Sequence, residues 1–124
     1  MCGVFGIIGH PQAKLFLPTI LSSLKHRGHD SAGVAAFVTD NTSCLETVKG
    51  VGTVETVINK NTIEKFVGST FIAHTRYSTR NEASSVREIH PHWAQSMRGK
   101  NAIVTNGDLI NVDGVTMIFD EGTD

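Results

Sequence analysis

Short apolar segments bounded by glycines or polar turns recur along the chain, each long enough for a strand and too short for an ordinary helix. Residues 3–9 (GVFGIIG) set β-branched and aromatic residues between glycines and predict a buried strand that starts one residue after Cys2. Residues 32–38 (AGVAAFV) predict a second buried strand, entered from the polar turn 26–31. Residues 44–49 predict its hairpin partner across Asp40-Asn41, and 70–74, 101–105 and 115–119 predict three more strands. Helical spacing is confined to two places. Leu17, Ile20, Leu21 and Leu24 fall on one helix face that ends near Lys25, with Pro18 acceptable only in the first turn. Val54, Val57, Ile58, Ile63 and Phe66 predict helical pieces interrupted at Asn59-Lys60-Asn61. Residues 75–100 predict a long loop carrying most of the polar and ionisable side chains, the kind of segment that more often serves function than structure.

A length of 124 residues with 40% hydrophobic and 19% charged content fits one globular domain over residues 1–124 and is short for two. The formal net charge is −1 and the Lys and Arg residues are dispersed, which lacks the electrostatic footprint of a nucleic-acid or membrane-surface binder. A small molecule or another protein domain is the expected partner. No apolar run is long enough to cross a bilayer, and the start of the chain lacks the basic and apolar segments of a secretory leader. Cys2 and Cys44 are too few for a disulfide framework and fit a reducing compartment, so a cytoplasmic protein is expected. Cys44 reads as a small buried strand residue without chemistry.

Cys2 has an unusual address. A small second residue favours removal of Met1, after which one residue holds both a nucleophile and a base. An α-amine titrates near about 8 and a thiol near about 8.5, so the amine can accept the thiol proton. Cysteine also occurs at position two by chance; Gly3 and the strand behind it distinguish this case, because they would hold the terminus still. Attack on an amide creates a tetrahedral oxyanion that needs donors already aimed at it. Asn106-Gly107, directly after a strand, offers a side-chain amide and an unobstructed backbone N–H, although the same dipeptide fits an ordinary type I′ hairpin turn. A substrate with a free α-carboxylate and α-ammonium needs a cation and an anion. Arg76, at a strand end, is the candidate cation, against the commoner fate of a loop arginine as a solvated surface residue. Asp124 is a candidate anion, against the disorder usual at a chain end.

Six histidines raise the question of a metal. His26-x-x-His29 and His90-x-His92 have local spacing for two imidazole ligands each, but zinc wants about four ligands and neither pair has a nearby second set. No metal is expected. The glycine-containing segments 3–6 and 50–52 lack the spacing and the lysine of phosphate-binding loops.

Four blocks in order, MCGVFGI (1–7), HRGHDSAGVA (26–35), AHTRYST (73–79) and NGDLIN (106–111), resemble the class II, N-terminal-nucleophile glutamine amidotransferases over the whole chain. The resemblance implies an α+β fold, an αββα sandwich of two stacked antiparallel sheets, with no cofactor. It implies hydrolysis of glutamine to glutamate and ammonia through a thioester on Cys2, with Asn106 and Gly107 as the oxyanion hole. Arg76 would hold the glutamine carboxylate, Thr79 would line the same pocket, and Asp124 would meet the substrate ammonium. Arg27 and Asp30 would hold the turn beside the nucleophile. The ammonia would pass to a synthase or phosphoribosyltransferase domain or subunit outside this chain. Residues 26–28, 50–54 and 76–79 look most like the amidophosphoribosyltransferases that open purine synthesis from phosphoribosyl pyrophosphate. His90-Pro91-His92 and Thr123-Asp124 resemble the glucosamine-6-phosphate synthase branch instead. Thr105 stands where many members carry His, the stretch 111–124 is shorter than its counterpart, and family glutaminase domains are longer. An N-terminal portion of such a domain is therefore expected, with a catalytically silent glutamine-binding or interaction domain as the alternative.

Overall fold

A computed structural model of the chain describes residues 1–38, 44–77 and 86–107. Strand β1 (Gly3–Ile7) is followed by helix α1 (Ala13–Leu24), then β2 (Ser31–Phe37), β3 (Leu45–Val51), α2 (Val54–Val57), α3 (Lys60–Lys65) and β4 (Thr70–Arg76), with β5 (His92–Ser96) and β6 (Gly99–Ile103) last. Two sheets result. A four-stranded antiparallel sheet has the order β1-β4-β2-β3, and β5 and β6 pair as a separate antiparallel hairpin.

Alternation along the strands divides the large sheet into two faces. Ala32, Val34 and Ala36 of β2 and Phe71 and Ala73 of β4 face the helices, where Ala13, Leu17 and Leu21 of α1, with Val54, Ile58, Ile63 and Phe66, complete the core. Phe66 and Phe71 meet edge to face at 5.8 Å, a geometry favoured by the ring quadrupoles. The opposite face carries Ser31, Gly33 and Ala35 of β2 and His74 and Arg76 of β4. The flanks of the hairpin bear on this second face, with His90-Pro91 over Gly33 and Thr105 over His74. A side chain at position 33 would run into the His90 carbonyl oxygen, so only glycine lets the two layers approach there.

Several expectations require correction. The first strand ends at Ile7 and is not buried throughout, because β1 is an edge strand with Val4 45% exposed. Pro18 lies inside α1 beyond the first turn. Its ring withdraws the N–H that would otherwise reach the Lys14 carbonyl, and burial of Leu17 and Leu21 keeps the helix continuous across it. Cys44 precedes β3 rather than lying on it and is half-buried, its carbonyl accepting from the Val38 N–H at 3.4 Å. The predicted loop 75–100 contains β5, a strand hidden from sequence reasoning by its polar residues. The expected strand 115–119 lies outside the described residues. The interruption expected at residues 59–61 is a helix boundary: the Asn59 side chain caps α3, its Oδ1 accepting from the Thr62 N–H at 3.1 Å.

Candidate active site at the N-terminus

The edge strand β1 brings the chain terminus to the end of β4. Gly3 pairs with Thr75, so Cys2 stands one step further, opposite Arg76 and on the face away from the helices. This register depends on Gly3, since a Cβ there would lie 2.6 Å from Thr75 Oγ1 and 3.0 Å from Leu24 Cβ. Thr75 Oγ1 in turn donates to the Leu24 carbonyl at 3.3 Å, tying β4 to the end of α1.

Residue 2 is held on both sides. Its backbone N–H donates to Asn106 Oδ1 at 3.0 Å, and its carbonyl accepts from Arg27 Nε at 3.2 Å. Met1, by contrast, is 79% exposed. With Oδ1 engaged by residue 2, the Asn106 side chain keeps its two N–H hydrogens available for a developing negative charge. A side chain at Gly107 would meet open space, so the approach to this residue is clear. Asn106 has no positive φ, which excludes the type I′ turn that the dipeptide by itself favours.

Arg76 is not a solvated surface residue. Its side chain is 21% exposed; one nitrogen donates to the Glu88 carboxylate at 2.8 Å and the other to the Glu88 carbonyl at 3.3 Å. Its own carbonyl accepts from the Asp30 N–H at 3.0 Å, so the turn 26–31 is locked to the end of β4. Cys2, Asn106, Gly107, Arg27 and Arg76 thus gather at one end of the large sheet. Thr79 and Asp124 lie outside the described residues.

Sequence reasoning missed a cluster of imidazoles. His74 is 1% exposed, and its Nε2 lies 3.0 Å from the Thr105 carbonyl and 3.3 Å from His90 Nδ1. The His74 and His90 rings stack edge to face at 4.5 Å, and His90 and His92 do so at 4.3 Å. Burial pushes the pKa of His74 and of His90 down to about 4, with neighbouring cationic groups adding to the effect, so both are neutral at pH 7. The signal available in the sequence was the two-residue spacing of His74 and Arg76 within an apolar strand, which puts both on one face. His26 and His29 do not form a pair: His26 Nδ1 contacts the Ser23 carbonyl at 2.8 Å, and His29 lies against Asp30 and Tyr77. Among the described residues no group of three or more His, Cys, Asp or Glu side chains is placed to hold a metal ion. Among them, too, no helix is long and apolar enough to cross a membrane.

No protein-family model matches the chain. Its similarity to individual proteins is extensive. It is 33% identical over 120 residues to amidophosphoribosyltransferase 1, chloroplastic, of Arabidopsis thaliana, covering 97% of this chain and 21% of that protein. It is 39% identical over 114 residues to the glutamine–fructose-6-phosphate aminotransferase (isomerizing) of Sulfolobus acidocaldarius, covering 90% of this chain and 18% of that one. Among solved structures, the glutamine phosphoribosylpyrophosphate amidotransferase from B. subtilis matches 82% of this chain and 21% of its own, with a TM-score of 0.67 and 30% identity. The chain thus spans about a fifth of the length of these relatives. Proteins of two glutamine-using activities share this one region, and the fold agrees with it: the chain belongs to the class II glutamine amidotransferases and matches their N-terminal domain.

Proposed function

We propose that the chain is the glutaminase portion of an amidotransferase, with Cys2 as the nucleophile once Met1 is removed. The observation that carries this reading is the contact between the Cys2 nitrogen and Asn106 Oδ1 at 3.0 Å, which joins residues 104 apart in sequence. In the mature chain that nitrogen is the terminal amine. Donating one hydrogen to Asn106 leaves its lone pair to take the thiol proton, and Sγ attacks the glutamine side-chain carbonyl. Asn106 Nδ2 and the Gly107 N–H stabilise the oxyanion. The amine then protonates the departing nitrogen, ammonia leaves, and water cleaves the thioester to glutamate and free Cys2.

Arg76, whose fork is suited to a carboxylate and already holds that of Glu88, exchanges this partner for the glutamine α-carboxylate. Thr79 lines the pocket and Asp124 receives the α-ammonium. The ammonia passes to a synthase domain or subunit. Phosphoribosyl pyrophosphate is the preferred acceptor, given the amidophosphoribosyltransferases among the relatives. The 39% identity to the Sulfolobus aminotransferase supports a sugar phosphate as the second reading. A thiol nucleophile must stay reduced to act, and the unpaired Cys2 and Cys44 fit a cytoplasmic location.

Intact mass after treatment with an electrophilic glutamine analogue tests the reading. Loss of Met1 and a single adduct are expected, and Cys2→Ser should abolish the adduct. A protein that retains Met1 and stays unmodified would sink it.

A further inference from the structure

Three imidazoles meet behind the Cys2–Asn106 contact, and no step of the reaction above uses them. His74 projects from β4 on the face away from the helices, and its Nε2 reaches the Thr105 carbonyl at 3.0 Å. A carbonyl only accepts, so this nitrogen carries the hydrogen and the tautomer is fixed. Among the described residues, His74 Nδ1 is buried without a hydrogen-bond partner, which marks the ring as placed for its other nitrogen. His90 packs edge-on against His74, and His92 against His90, so the ring is wedged from one side. Thr105 immediately precedes Asn106. Fixing the Thr105 carbonyl fixes the peptide plane that leads into Asn106, and with it the origin of the side chain that holds the Cys2 nitrogen.

We propose that His74 is a positioning residue for the oxyanion hole: it sets the Thr105–Asn106 peptide, with His90 and His92 as its support, and takes no part in proton transfer. The inference rests on the reading of Cys2 and Asn106 given above. It uses the main chain at Thr105, so the identity of that side chain does not enter. A histidine that merely filled the core would be replaceable by any side chain of similar volume. One that sets the loop needs a donor at the reach of Nε2.

His74→Leu keeps volume without a donor, His74→Asn places a donor too close to the main chain to reach Thr105, and His74→Gln places one near the position of Nε2. In the full-length protein, the Leu and Asn variants should lower kcat for glutamine by roughly 10- to 100-fold with KM within about twofold, as expected for small misplacement of a catalytic group. The Gln variant should recover most of the loss. Alkylation of Cys2 by iodoacetamide, which forms no oxyanion, should be unchanged in all three. Loss of kcat that Gln fails to restore, or full activity in both Leu and Asn variants, would overturn the proposal. The NMR signals of the Asn106 side-chain amide give a readout independent of turnover. They should shift in the Asn variant and return in the Gln variant, and identical signals in every protein overturn the role of His74 even if Cys2 is no nucleophile. A wild-type protein inert to glutamine, with Asn106 signals that respond as expected, would instead refute the reading of Cys2 alone.

Discussion

Residue 2 is gripped by two side chains that come from distant parts of the chain, Arg27 on its carbonyl and Asn106 on its nitrogen. Termini ordinarily fray, and here two hydrogen bonds and a strand hold the first residues in register. Glycine does comparable work at position 33, where the His90 carbonyl oxygen occupies the space of a side chain. Gly33→Ala must push the 89–91 segment off the sheet, and overpacking of this kind costs typically about 1–3 kcal/mol. A lower urea midpoint with an unchanged slope is expected, together with altered chemical shifts at His74 and His90; a variant as stable as the parent would show that the layers separate freely. The side-chain types that the proposed chemistry calls for are legible at this scale, since a thiol at position two, an Asn-Gly pair and an arginine at a strand end each suit one step of amide hydrolysis. The contact between Arg76 and Glu88 was not, because nothing in the spacing of twelve residues says that a short 3₁₀ turn folds back to meet β4.

Among the elements, α2 and α3 carry their start signals in their own sequence. Thr53 and Asn59 each offer a side-chain oxygen to an N–H three residues on, and the break between the helices follows from that local chemistry. Asn59→Ala removes the cap of α3 and should destabilise the protein by about 1 kcal/mol, read from the denaturation midpoint. Ser or Asp at the same position should recover most of it, and no difference between Ala and Asp would mean that the cap is irrelevant. Strand β5 shows the opposite case. His92-Trp93-Ala94-Gln95-Ser96 has no clear alternation, and only pairing with β6 from His92↔Ile103 to Ser96↔Gly99 makes it a strand. The burial of each strand likewise depended on neighbours: β2, with partners on both sides, is buried along nearly its whole length, whereas β1 at the edge alternates.

For the molecule as a whole, the buried His74 and the half-buried His90 couple stability to pH. His74 and His90 have pKa values of about 4 in the folded chain, against about 6.5 when free. Burial is the first cause for both; His92 and Arg76 lower both further, and Lys49 and His74 act on His90. The unfolded chain therefore binds more protons between pH 6.5 and 4, and stability falls as pH drops through that window while remaining level above it. At about 1.4 kcal/mol for each unit, His74 alone accounts for roughly 3 kcal/mol. Urea midpoints measured across this range should fall steeply in the parent and less steeply in His74→Gln; equal slopes would refute the assignment to His74.

The sequence by itself determined the classes of element and the chemical types at the site. Periodicity, caps and turn residues act over a few positions and can be read along the chain. Strand order, the edge position of β1 and the meeting of Cys2 with Asn106 came only from the tertiary structure, because each depends on pairing between segments that sequence spacing does not connect. The same holds for His74. Alone it is one polar residue in an apolar strand, and it acquires a use only when the hairpin lays the Thr105 carbonyl over it and burial strips the ring of its charge.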